Sequence, residues 1–225
     1  KDPSSAQAYS ILAEASLSVG RWGQDDQWAQ KAQNAVSKAL ALDDQIPESH
    51  IANGILQRTY RKDYLSAEMA FREALRLDPE NPKARREYGL LLMRNLGRPG
   101  EALHQLQEAS RLDPLMSRNY SYLFELHYSR GDYKEAFANA RKGFELHPSY
   151  SFTTRDLALI YMLLGDNESA LRWARKSVGL LDSGPKDEEW ERSYQLLSFA
   201  YLQQGNITAA VKTSETLNSL SPGST

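Results

Sequence analysis

Four histidines, His50, His104, His127 and His147, are the residues of this chain with the readiest acid–base or metal chemistry. None has a second histidine four residues away, and the chain contains no cysteine, so no zinc-ligand spacing, disulfide or thiolate nucleophile is available. His127 shares a helical stripe with Tyr120, Leu123, Phe124 and Tyr128, the place of a hydrogen-bonded core histidine rather than a catalytic base. The neighbouring carboxylates Glu188 and Glu189 point to different sides of a helix, and Asp187-Glu188-Glu189 reads as an acidic helix start that the macrodipole favours. No glycine-rich phosphate loop and no G-x-S-x-G occurs. These residues therefore predict a chain that is not an enzyme and uses no cofactor or metal.

The elements that carry them are helices in pairs. In Ser117–Pro148 the apolar stripe just described ends at Arg130-Gly131-Asp132, where Gly131 suits a turn and Asp132 suits a new helix start. A second stripe, Tyr133, Ala136, Phe137, Ala140 and Phe144, runs to Pro148, whose missing amide hydrogen ends it. Neither helix can bury its stripe alone, and the pattern recurs. The small residue after the turn returns as Ala32, Ala67, Ala102, Ala136, Ala170 and Ala210, at spacings of 35, 35, 34, 34 and 40. Seven residues on stand Ala39, Ala74, Ala109, Gly143, Ser177 and Leu217, and the turn glycine returns as Gly97, Gly131, Gly165 and Gly205. Leu-Asp-Pro closes two helices at 77–79 and 112–114, with Pro148 and Pro222 in the same slot. A period of this length predicts a stacked solenoid in which each repeat touches its neighbours.

Composition agrees. Apolar residues make up 41% and charged residues 25%, and a net charge of −2 gives no bulk attraction to nucleic acid. No apolar run reaches the roughly 18–20 residues of a bilayer span. A first residue that is lysine, without a signal-peptide pattern, suggests a piece of a longer protein. The N-x-S/T sequences at Asn119, Asn167 and Asn206 fall at or inside helices, away from the exposed loops where glycans attach. In the first repeat a longer turn carries Trp22 and Trp28, with Asp25 or Asp26 as a cap; the indoles are expected to cover the open end of the stack. Ser183-Gly184-Pro185 reads as a short connector.

The recurring tyrosine, leucine, small residue, glycine and alanine resemble the tetratricopeptide repeat family over essentially the whole chain, best at Ser117–Pro148 and Tyr150–Leu181. The resemblance implies an all-α, right-handed superhelical solenoid of about six helical hairpins, over residues 4–45, 47–80, 82–115, 117–148, 150–182 and 187–222, forming a single domain from 1 to 225. Departures are the extra residue between helices in repeats two and three, and Phe124 in a slot that is usually small, which implies a wider pair of helices there.

In this family first helices line a concave face that binds extended peptides or helices. Slot by slot, the resemblance places there Lys83, Arg86, Leu90, Met93 and Arg94 from repeat three, and Arg118, Ser121, Glu125 and Tyr128 from repeat four. Repeat five supplies Phe152, Arg155, Leu159 and Met162, and repeat six Arg192, Gln195, Phe199 and Leu202. Six cations against one carboxylate, with methionine and aromatic residues between, imply a protein or peptide partner of acidic or mixed apolar character. The competing reading is that these arginines are solvated or pair with acidic residues of the neighbouring repeat. The lysine/asparagine clamp with which some family members grip a chaperone tail is absent from these first helices.

Stretches such as KAQNAVSKALALDD and EASRLDPLMSRN also resemble repeat regions attached to bacterial winged-helix transcription regulators and adenylate cyclases. That resemblance implies a second role, a signal-receiving effector region in transcription regulation whose DNA-binding domain lies elsewhere. Self-association through the terminal repeats is a further expectation. A cysteine-free chain fits the cytoplasm; the alternative is the periplasmic part of a membrane-anchored regulator.

Overall fold

A computed structural model describes residues 3–23, 26–182, 184 and 188–220. The side chain of Trp22, the cap at Asp25, the connector residues Ser183 and Pro185, the acidic pair Asp187 and Glu188 (its side chain) and Pro222 lie outside the described residues. Among the described residues there are twelve α-helices and no strand, and no helix is long and apolar enough to cross a membrane. The chain divides into two compact units, Lys1–Pro114 and Leu115–Thr225.

Unit one holds three hairpins: α1 (Pro3–Gly23) with α2 (Asp26–Leu42), α3 (Pro47–Leu56) with α4 (Tyr64–Leu77), and α5 (Pro82–Arg94) with α6 (Pro99–Leu112). Unit two holds α7 (Ser117–Arg130) with α8 (Tyr133–Leu146), α9 (Ser151–Leu163) with α10 (Asn167–Leu181), and α11 (Glu188–Gln203) with α12 (Ile207–Leu220). All six alanines of the repeating slot are buried, none more than 2% exposed.

Within a hairpin the two helices meet at a pair of facing residues whose sizes compensate. Gly54 of α3 faces Phe71 of α4, and a Cβ on Gly54 would lie 2.6 Å from the ring. Gly89 of α5 faces Leu106 of α6, where a Cβ would stand 2.8 Å from Cγ. In unit two the sizes invert: Phe124 of α7 packs with Ala136 and Ala140 of α8 in one buried cluster. Ala158 and Ala174 share the next cluster. The last pair is polar, Ser198 and Ser214, whose hydroxyls are 2.8 Å apart. The added volume of Phe124 is thus met by a small residue opposite it.

The turns explain how one residue more or fewer is absorbed. In unit two each first helix ends on a glycine with positive φ, Gly131, Gly165 or Gly205. The amide that follows it bonds back five residues: Asp132 to His127, Asp166 to Tyr161 and Asn206 to Tyr201. Asp166 and Asn206 then cap the second helix by accepting from the amides of Ser169 and Ala209. In repeats two and three the extra residue lengthens the closing bond to six residues, Asp63 to Gln57 and Arg98 to Leu92. Repeat two takes up its extra residue in a π-helical turn, Gln57–Arg61, and places Lys62, not glycine, in the left-handed conformation at φ 57°.

Two outcomes follow. Gly54→Ala should lower unfolding free energy by about 1–3 kcal/mol, and much less in a Phe71→Ala background, a coupling readable by urea denaturation of the four variants. Lys62→Gly should raise stability by about 1 kcal/mol, because glycine escapes the clash between Cβ and carbonyl in the left-handed region; an unchanged or lower midpoint would show that Lys62 is not strained.

Candidate functional site

First helices present one face in each unit, and the residues on it begin with charge. In unit one Lys83 of α5 meets Glu14 of α1 at 2.5 Å, a contact that passes over the intervening first helix, α3. Such a bridge closes only if the face of this unit curves inward. Beneath it Arg58, at the end of the second first helix, binds Glu87 at 2.7 Å, both side chains about a tenth exposed. Arg86 lies 3.5 Å from the same carboxylate. Met93 is half-buried and Arg94 exposed. Leu90, expected on the face, is 3% exposed and belongs to the core, so it offers no contact surface.

In unit two the charged groups are buried further. Arg155 of α9 binds Asp156 at 3.1 Å and, more closely, Glu189 of α11. Asp156 is wholly buried, and burial pushes its carboxyl up to about 6 although Arg155 and Ser121 act to hold its charge. Arg118 of α7 donates to the Tyr150 hydroxyl at 2.7 Å and stands over the rings of Tyr150 and Phe152, while Arg155 stands over Phe152 from its own helix. Burial pushes Tyr150 up to about 12, against the pull of Arg118. Ser121 is buried, Glu125 half-buried, and Gln195 and Arg192 are exposed.

Toward the C-terminal ends of the same helices the face is apolar. Tyr128 packs between Phe124 and Tyr133, Leu159 touches the clusters on both sides of α9, and Met162 lies against the second of them. Phe199 and Leu202 of α11 are 48% and 49% exposed. The face thus has a charged half, largely neutralised from within, and an apolar half that keeps contact area open. Sequence reading missed Glu14, Glu87, Asp156 and Glu189 as its counter-charges. The available signal was adjacency, since Glu87 follows Arg86 and Asp156 follows Arg155.

A separate network ties α4 to the third hairpin. Glu68 accepts from Tyr88 and Arg98 at 2.8 Å each and pairs with Arg72 at 2.9 Å. Burial pushes the Glu68 carboxyl up, but these donors outweigh it and hold the group below its ordinary value. His127, on its apolar stripe, lies 3.4 Å from Asp132 in the turn.

Residues 60–117 and 191–224 match models of the tetratricopeptide repeat. These segments are tetratricopeptide repeats. The chain is 29% identical over 230 residues to Tetratricopeptide repeat protein 37 of Xenopus laevis, covering 84% of this chain and 14% of that protein. It therefore spans a small part of the length of that relative. Among solved structures, the APC/C hetero-tetramer Cut9–Hcn1 superposes with a TM-score of 0.82 at 16% identity, over 91% of this chain and 38% of the other. The pilF structure from Pseudomonas aeruginosa gives 0.75 at 22% identity, over 98% and 93%. At these identities the tetratricopeptide repeats and these structures share a fold with the chain. The effector-region reading of transcription regulators finds no support in these relatives.

Arg58→Ala should cost about 3 kcal/mol, because it removes the 2.7 Å partner of the buried Glu87 carboxylate. Lys83→Ala, at a more open bridge, should cost less than about 1 kcal/mol. Thermal unfolding of the two variants side by side checks the order; equal losses would contradict the burial assigned to Arg58.

Proposed function

We propose that this chain is a protein-binding scaffold whose first-helix face holds a peptide or a helix of a partner protein. The observation that carries this reading is the exposed apolar surface of α11 in unit two, where Phe199 and Leu202 stay about half open. Large apolar side chains clustered on an otherwise polar surface mark interaction sites. The inward curve of the corresponding face in unit one supports a trough rather than a flat contact.

The partner fits a mixed apolar segment better than a strongly acidic one. Lys83, Arg86 and Arg155 already have carboxylate partners, and Arg118 is held over two rings, so an acidic peptide would have to displace internal contacts. Apolar anchors would bind at the helix ends, with charged groups of the partner ordered by the rim.

Partner capture from native lysate with the whole chain, followed by mass spectrometry, identifies the segment. Phe199→Asp and Leu202→Asp should then weaken that partner's binding at least ~10-fold, as loss of an anchor does, while Lys134→Ala on α8 leaves it unchanged. Equal affinities for all three, with helix content unaltered by circular dichroism, would move the interaction away from this face.

A further inference from the structure

Inside unit two, one hairpin stacks on the next through a fixed set of slots. Leu196, Leu197 and Ala200 of α11 share a buried cluster with Leu171 and Val178 of α10, and Leu159 and Met162 of α9 pack against it. Ser193 of α11 meets Ser177 of α10 at 2.9 Å. The same docking slot serves other repeats. Leu157 of α9, which stands where Leu197 does, joins Ala136 and Ala140 of α8, and Tyr88 of α5 meets Phe71 of α4 at 6.4 Å.

The first and last hairpins carry the two halves of this contact with neither half covered. Counted from Tyr9 as α11 is counted from Tyr194, the docking slots of α1 hold Ala8, Ile11, Leu12 and Ala15. These repeat the character of Ser193, Leu196, Leu197 and Ala200: small, branched aliphatic, branched aliphatic, small. All four are exposed, Ile11 at 62% where Leu196 is 8% and Leu12 at 39% where Leu197 is 7%. Trp28, one of the indoles expected to cover this end, lies half-buried on α2 and leaves them open. On the receiving side, Gly165 and Gly205 mark the same turn, so Phe199, Leu202 and Val211 stand in the places of Leu159, Met162 and Leu171. Val211 is 51% exposed where Leu171 is 6%.

A single apolar patch fits many occupants, but a docking half and a receiving half on one chain fit a second copy of that chain. The pairing already buried between α10 and α11 is then reproduced between molecules, with aliphatic groups meeting aliphatic groups in the same slots. We infer that the chain associates head to tail, α1 of one copy seating on α11 and α12 of another. Leu12 takes toward Val211 the place that Leu197 takes toward Leu171. The contact is heterologous, so every open assembly keeps one free docking half and one free receiving half. Phe199 and Leu202 also belong to the face proposed to hold a partner, so the two uses compete for them. Ile11, Leu12 and Val211 belong to the stacking contact alone.

Sedimentation equilibrium of the whole chain tests the contact. Between roughly 5 and 500 μM the weight-average mass should climb above that of one chain, since a small interface of this kind associates weakly. Ile11→Glu with Leu12→Glu removes the docking half, and Val211→Glu removes the receiving half, both at exposed positions whose helix content circular dichroism checks. Each variant alone should associate at least ~10-fold more weakly than the wild type. Mixed, the two should form a one-to-one dimer and nothing larger, because each keeps the half that the other has lost. A wild-type chain monomeric throughout, a variant that associates as the wild type does, or a mixture that stays monomeric would overturn the head-to-tail contact. So would a monomeric chain that captures a different protein through Leu12 or Val211. A monomeric wild type whose captured partner is still weakened by Phe199→Asp would overturn this contact and leave the scaffold reading standing. A self-associating chain whose captured partner is indifferent to Phe199→Asp would do the reverse.

Discussion

Everything in this chain rests on how closely two consecutive helices can approach. The facing pairs Gly54–Phe71, Gly89–Leu106, Phe124–Ala140, Ala158–Ala174 and Ser198–Ser214 keep the sum of two side chains small, whichever helix carries the larger. Interiors are packed at crystal-like density, so neither member can grow without displacing the other. That closeness lets the alanines of the repeating slot vanish from the surface. Within each unit, each hairpin then has an apolar side that the next can cover, and the first helices stand side by side.

Within each unit the common ending of the first helices sets what that face presents. First helices that all end on a left-handed glycine, Gly131, Gly165 or Gly205, set their side chains in register, so that Tyr128, Met162 and Leu202 each stand three residues before one. The N-terminal halves of the same helices are occupied by internal ion pairs that cross from repeat to repeat. Buried pairs of this kind add little net stability but are costly to break, so they fix the angle at which one repeat meets the next. A face that spends its charges on holding its own shape leaves apolar groups such as Phe199 and Leu202 exposed.

Much of this was legible in the sequence because a solenoid repeats its local rules. The helix pairs, most of their boundaries, the alanine slot and the turn glycines follow from spacing alone, and His127 lies near Asp132 as a core histidine would. The first repeat is the exception: no long turn carries Trp22 and Trp28, because α1 runs on to Gly23 and Trp28 lies within α2. What could not be read involves residues far apart in the chain or a backbone choice against type. Lys62 takes a left-handed turn because the π-helical turn before it overshoots by one residue, and lysine carries no mark of that. Counting charges in family slots gave a cationic face, but Glu87 and Asp156 stand one residue beside the counted positions, and Glu14 and Glu189 come from other repeats. The compensation of Phe124 by Ala140 is likewise visible only once the two helices are laid together.

Methyl and aromatic NOE spectroscopy of the intact chain tests the compensated helix contact most directly. The account predicts cross-peaks from the Phe71 ring to the Gly54 α-protons in repeat two, and from the Phe124 ring to the Ala140 methyl in repeat four. Rings that show contacts only within their own helices would contradict it, and the packed row of first helices would go with them.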